Sequence, residues 1–282
     1  MIDLFPLDAS IGQLIFLGAF TLVIAFIAEM VGVALGAVRL PVMFILGFNP
    51  VIAAGTNIGV TILGGAAASW PHWREGRVVG RVVLVIGLPA IIGSLLGGFF
   101  ADGVKSWVLL TLIAALLGLS SAISLFQWWI VYKKFKKSKR EFRFDSAAED
   151  SRGVGLTARN QFLHSAIGLT LGIIAGAAGL ILAGLRFPVL INVLRMGPRH
   201  AAGTNNAIGV LAATFGFFGH VINMNFDVAV LAVMGVTGMV GSYFGAKQTG
   251  KVNAVTMRLI IALMLSLSTP LVVVRIFVEY PN

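Results

Sequence analysis

The chain has 282 residues, of which 58% are hydrophobic and 11% charged, with a net charge of +10 and a mean hydropathy of +0.95. Soluble domains carry about 25% charged residues, so most of this chain is excluded from water. It contains no cysteine, which excludes disulfides, thiolate metal sites and cysteine nucleophiles.

Taken in order, the apolar runs predict an all-α polytopic membrane protein. The first run, about Ile11–Gly36, is long enough to cross a bilayer. Its length and the acidic start (Asp3, Asp8) argue against a cleaved signal sequence. Next comes a Pro/Gly-broken stretch, Pro41–Trp70, and then two full helices, about Val79–Ala101 and Ser106–Val131. Tyr132–Asn160 follows with nine Lys/Arg against four acids. A basic loop beside a span is the ordinary positive-inside signal rather than a nucleic-acid site. The loop is therefore expected in the cytoplasm, touching anionic lipid. The second half repeats the series: a helix at about Gln161–Leu185, a broken stretch Pro188–Gly219, then helices at about Asp227–Ala246 and Val252–Phe277.

The two halves resemble each other residue by residue. Arg39-Leu40-Pro41-Val42 recurs as Arg186-Phe187-Pro188-Val189, at an offset of 147. From Pro50 onward the offset is 148: Ala53-Ala54-Gly55-Thr56-Asn57 matches Ala201-Ala202-Gly203-Thr204-Asn205, and His72 matches His220. Gly93-Ser94 and Gly97 match Gly241-Ser242 and Gly245. The chain thus divides into a first repeat, 1–131, a basic linker, 132–160, and a second repeat, 161–282. If the broken stretches are re-entrant and the halves inverted, sixteen Lys/Arg fall inside and three outside (Lys105, Arg186 and Arg275). Parallel halves give thirteen and six. The bias favours inversion, with Arg39 at the inner face and Arg186 at the outer.

Broken apolar segments at matching positions of two halves point to a transporter site. A helix interrupted in lipid frees main-chain N–H groups, and a half-helix start attracts anions. Phe48-Asn49-Pro50 is expected to end one half-helix and Gly55-Thr56-Asn57 to start the next. The second copy offers Gly203-Thr204-Asn205-Asn206. Two such starts facing each other would cradle one small anion. The same residues would also serve as plain helix caps. His72 and His220 suit either a coupling proton or two helix ends at the interface. Arg195, Arg199 and His200 would draw an anion to one mouth or snorkel to the interface. Glu29 is an acid within an apolar run, near a helix end. The Gly-Ser-xx-Gly pairs have the spacing of close helix packing.

No nucleophile elbow, HExxH, Walker A or dinucleotide fingerprint is present, so no enzyme, resident metal or cofactor is expected. A homo-oligomer is compatible with the sequence.

The doubled order of proline, Ala-Ala-Gly-Thr-Asn, histidine and Gly-Ser-xx-Gly resembles the TauE/SafE sulfite-exporter family, over about Gly12 to Val274. The resemblance implies an inner-membrane permease that moves sulfite, sulfoacetate or a related anion, often outward. It places the substrate region at Ala53–Asn57 and Ala201–Asn205. An anion channel, an uptake permease for another small anion and, more remotely, an intramembrane enzyme are the alternatives.

Overall fold

The computed structural model describes residues 9–31, 36–138, 158–180, 185–186, 189–190, 193–194, 196–248 and 254–279. Among them every regular element is helical. In chain order these are α1 (Ile11–Val31), α2 (Gly36–Ile45), α3 (Pro50–Arg74), α4 (Leu88–Phe100), α5 (Ser106–Ser138), α6 (Ala158–Ala178), α7 (Pro198–Ile222), α8 (Val228–Lys247) and α9 (Ala254–Glu279). Eight stretches are long and apolar enough to cross a membrane, and α2 is too short. Large apolar side chains such as Ile15, Leu96, Phe244 and Phe277 stand exposed on the outside of the bundle, as lipid contact requires. Trp70 and Trp73 are exposed at the end of α3, where tryptophan suits a membrane–water boundary.

α5 continues to Ser138, seven residues beyond the expected boundary at 131. Residues 139–157, most of the basic linker, lie outside the described residues.

α4 is entered through a single turn, Gly80–Val82, and a π-helical turn, Val83–Gly87. Pro89 explains the wider turn. It has no N–H to offer the Val85 carbonyl four residues back. That carbonyl instead accepts the Ser165 hydroxyl of α6 at 3.0 Å.

The helices interlock across the two halves. α1 packs most extensively on α8, and α6 on α4. A Cβ on Gly97 would land on the Ile173 carbonyl oxygen, and one on Gly245 would land on that of Phe26. These two contacts correspond under the sequence offsets. α3 packs against α7 in antiparallel sense: Gly55 faces His220, Gly59 faces Phe217, Gly65 faces Val210, and Gly203 faces Arg77.

α2 runs antiparallel to both its neighbours. Its far end meets the start of α1, where Gln13 Nε2 donates to the Leu46 carbonyl at 3.1 Å. Its near end, Gly36, lies beside Asn57 and Thr61 of α3. The helix break in this half falls at 46–49, between α2 and α3, where Phe48-Asn49-Pro50 was expected to end a helix; the next helix starts at Pro50 rather than at Gly55.

α3 and α7 end alike, with a residue in the left-handed region just past the helix. In the first half this is Gly76 (φ +66°), and in the second it is Met224 (φ 54°). Glycine takes that conformation freely, whereas a Cβ costs about 1 kcal/mol or more. Met224 is exposed and its side chain packs little. Met224→Gly should therefore raise stability by about 1 kcal/mol, read as a higher thermal midpoint in detergent.

Candidate functional site

The Gly-Thr-Asn motifs are not helix starts. α3 begins at Pro50 with Asn49 as its cap, whose side chain accepts the N–H groups of Val51 (2.9 Å) and Ile52 (3.4 Å). α7 begins at Pro198 after Gly197. Gly55 and Gly203 thus lie more than a turn inside unbroken 25-residue helices. Because α3 and α7 are antiparallel, Asn57 and Asn205 sit toward opposite ends of the pair, about 20 Å apart along the axis. One small anion cannot touch both motifs. The expected cradle of two facing half-helix N-termini is corrected accordingly.

The motif residues divide by what they touch. Gly55 and Gly203 allow close approach, to the Asn225 carbonyl and to the Arg77 main chain. Thr56 Oγ1 donates to the Ile52 carbonyl (2.8 Å) and accepts the Asp227 N–H (2.9 Å). Thr204 Oγ1 accepts the Val79 N–H at 2.9 Å. Each threonine therefore pins the loop that leads into the other half's α8 or α4. Asn206 Nδ2 ties α7 to α3 through the Gly65 carbonyl (3.1 Å) and Ser69 Oγ (3.0 Å).

The asparagines do something different: each holds an arginine. Arg39 Nε donates to Asn57 Oδ1 at 3.1 Å, and Arg186 Nε donates to Asn205 Oδ1 at 2.7 Å. Both arginines are buried, 5% and 6% exposed. Asn57 also closes the space behind Arg39, because its Nδ2 donates to the carbonyls of Gly36 (3.1 Å) and Gly179 (2.8 Å). Gly179 has φ +66° and abuts Ala54, so a side chain there would be both strained and crowded.

Buried polar contacts at both sites keep the guanidiniums within the helix bundle. The available signal was an ionisable residue just ahead of each broken apolar segment, in a stretch otherwise apolar, which marks a functional position by default. Arg-x-Pro-Val was visible twice, yet it served only to establish the repeat.

Each arginine lines a small cavity with room for about one water. One is walled by Ile24, Ala25, Ala28, Arg39 and Ser242. The other is walled by Leu171, Gly172, Ala175, Arg186 and Ser94. These residues correspond one to one under the sequence offsets. In each case the serine comes from the opposite half of the chain.

The remaining candidates lie elsewhere. His72 and His220 are buried near the ends of α3 and α7. Nδ1 of His72 is 3.3 Å from an Arg77 guanidinium nitrogen, and Nε2 of His220 is 2.9 Å from the Gly176 carbonyl. Arg77 also pairs with Glu75. They occupy opposite ends of the antiparallel pair and do not meet. His200 is half-buried in the first turn of α7. The side chain of Arg199 and all of Arg195 lie outside the described residues. Gly93 and Gly97 pack on the α6 main chain, as their spacing suggested. Among the described residues no group of three His, Cys, Asp or Glu is placed to hold a metal.

A buried guanidinium presented by an asparagine is a fixed positive charge with spare N–H donors. No solved structure matches the chain. A probable membrane transporter protein of Bacillus subtilis (strain 168), YdhB, is 25% identical over 206 residues, which is 73% of this chain and 78% of that protein. The family model described as "Sulfite exporter TauE/SafE" matches residues 17–270. This nearly end-to-end match, joined to the multi-pass helical architecture, makes the chain a membrane transporter of the TauE/SafE family and not an enzyme.

Proposed function

We propose that the protein is a secondary transporter that exports a small sulfur oxyanion or organic anion, such as sulfite or sulfoacetate. The observation that carries this reading is the pair of buried arginines, each held by an asparagine of the repeated motif beside a cavity. A fixed charge inside the bundle offsets the cost of bringing an anion out of water. Asn57 and Asn205 orient the guanidiniums, and the remaining motif residues hold the helices in register. The basic linker faces the cytoplasm of a prokaryotic inner membrane, by the positive-inside bias.

The mechanism is alternating access between inverted halves. The antiparallel α3–α7 pair and the reciprocal glycine contacts support inversion. α1 and α2 form a hairpin that enters and leaves on one side, since Gln13 meets Leu46. Each cavity lies where one half's hairpin meets the other half's α4 or α8, so rocking the halves would open and close it. With a negative interior, outward movement of a monoanion is favoured by about 2.3 kcal/mol per 100 mV.

The test is flux in liposomes containing the purified chain, with sulfite, sulfate, thiosulfate, sulfoacetate and formate as the panel. Saturable movement of sulfite or sulfoacetate is expected, accelerated by a potential that pulls anions out. Absence of flux for every anion overturns the reading. Non-saturating flux with unitary currents replaces it with a channel.

A further inference from the structure

Serines inside the helices of this chain usually bond to their own helix. Ser69, Ser124 and Ser268 each donate to the main-chain carbonyl four residues back, at 2.7–2.8 Å. This back-bond is the ready outlet for a helical hydroxyl away from water. Ser94 on α4 and Ser242 on α8 do not use it. They are 1% and 4% exposed, yet neither hydroxyl has a hydrogen-bond partner among the described residues. Buried side-chain polar groups are bonded in the large majority. Two exceptions at corresponding positions of the repeat, 148 residues apart, need a shared reason.

The surroundings of the two hydroxyls supply it. Each is met by a glycine of a long central helix. A Cβ on Gly216 of α7 would strike Ser94 Oγ, and one on Gly64 of α3 would strike Ser242 Oγ. Glycine leaves space beside the hydroxyl and offers no side-chain partner. Both serines also line an arginine cavity. Ser94 shares its wall with Arg186, and the rest of that described wall is small or apolar, as at Ile58, Ala90, Leu171 and Ala212. Ser242 shares its wall with Arg39, Glu29 and Thr61. The Thr61 hydroxyl is already given to the Asn57 carbonyl at 2.7 Å, so it is the serine that brings an uncommitted hydroxyl.

From this placement we propose that Ser94 and Ser242 bind the anion directly: each donates its hydroxyl to the ligand that the guanidinium holds in the same cavity. This rests on the reading that the arginine cavities take the transported anion. The guanidinium comes from one half of the chain and the hydroxyl from the other, so the bound anion bridges the halves. Rocking the halves apart withdraws the serine from the arginine and removes one of the anion's two anchors, which is the release step. The same geometry names the ligand class. Donors on two different helices suit an oxyanion (a sulfonate, sulfite or carboxylate), which gives one oxygen to the guanidinium and another to the hydroxyl.

The experiment is calorimetric titration and thermal melting of the detergent-purified full chain with methanesulfonate, and with chloride for comparison. The wild type should bind methanesulfonate and melt higher in its presence, with chloride raising the midpoint less. Ser94→Ala/Ser242→Ala should bind methanesulfonate at least about tenfold more weakly, the loss of one hydrogen bond to a charged group. Without anion the same variant should melt at or above wild type, because the hydroxyls it removes have no partner in the protein. Ser124→Ala/Ser268→Ala, which removes two back-bonded hydroxyls, should keep wild-type affinity. Wild-type affinity in Ser94→Ala/Ser242→Ala overturns the assignment and leaves the transport reading intact. A midpoint well below wild type in that variant without anion does the same, since it makes the hydroxyls structural. Equal stabilisation by chloride overturns the oxyanion class. A wild type that neither binds methanesulfonate nor shows flux of any anion defeats both readings together.

Discussion

Asn205→Asp should give a folded protein that no longer moves its anion. The substitution preserves the shape of the side chain and the oxygen that accepts from Arg186 Nε at 2.7 Å. It changes that bond from neutral to charge-assisted, which roughly doubles its strength. The new carboxylate satisfies the Arg186 charge internally. An incoming anion then meets a neutral pair and gains little. Liposome flux should fall at least about 100-fold, the equivalent of one lost charge-assisted contact of about 3 kcal/mol. The mirror change, Asn57→Asp, adds a structural cost. Asn57 uses Nδ2 to hold the carbonyls of Gly36 and Gly179. Aspartate cannot donate there, so two buried carbonyls lose a partner at about 1–3 kcal/mol each. Asn57→Asp should therefore cost stability as well as flux. Equal loss of flux in both would mean that the two arginines act alike.

The membrane character of the fold was legible, because uncharged runs such as Val82–Ala101 and Val228–Ala246 can only be buried in protein or lipid. The offset between the halves was also legible, and the same offset later pairs contacts in space. The start of α3 was misread for an instructive reason. Gly-Thr-Asn is good capping chemistry, but Asn49-Pro50, a few residues upstream, is better: the asparagine accepts the free N–H groups and proline fits the first turn. Thr56 and Thr204 look like caps and act as long-range pins, to Asp227 and Val79. Their partners lie 171 and 125 residues away in sequence, beyond the reach of any local pattern. The arginines were hidden by a counting rule. Positive-inside arithmetic assigns every Lys or Arg to one face or the other, and so it has no place for a charge held inside the bundle.

Gly97→Ala and Gly245→Ala should each be strongly damaging for so small a change. In an exposed helix, glycine to alanine adds about 1 kcal/mol of stability. Here the added methyl falls on the main-chain carbonyl oxygens of Ile173 and Phe26, which cannot rotate aside as a side chain would. The helices must separate, so the dispersion contacts along α4–α6 or α1–α8 weaken together. Overpacking of this kind costs about 1–3 kcal/mol at each site. The two contacts share no partner, so the costs should add, and the double variant should approach the stability limit of the fold. Gly12→Ala is the control, because a Cβ there meets nothing within 4 Å. Thermal midpoints in detergent should rank Gly12→Ala at or above wild type, the two single variants well below, and the double variant lowest. Flux measured below those midpoints carries further information. Ser94 lies beside Gly97 on α4 and lines the Arg186 cavity, whereas Ser242 lies beside Gly245 on α8 and lines the Arg39 cavity. The two substitutions are equivalent as packing lesions but disturb different cavities. If Arg186 takes the anion, Gly97→Ala should slow flux several-fold more than Gly245→Ala at matched stability. Identical flux would show that helix separation alone, and not the identity of the cavity, limits the rate.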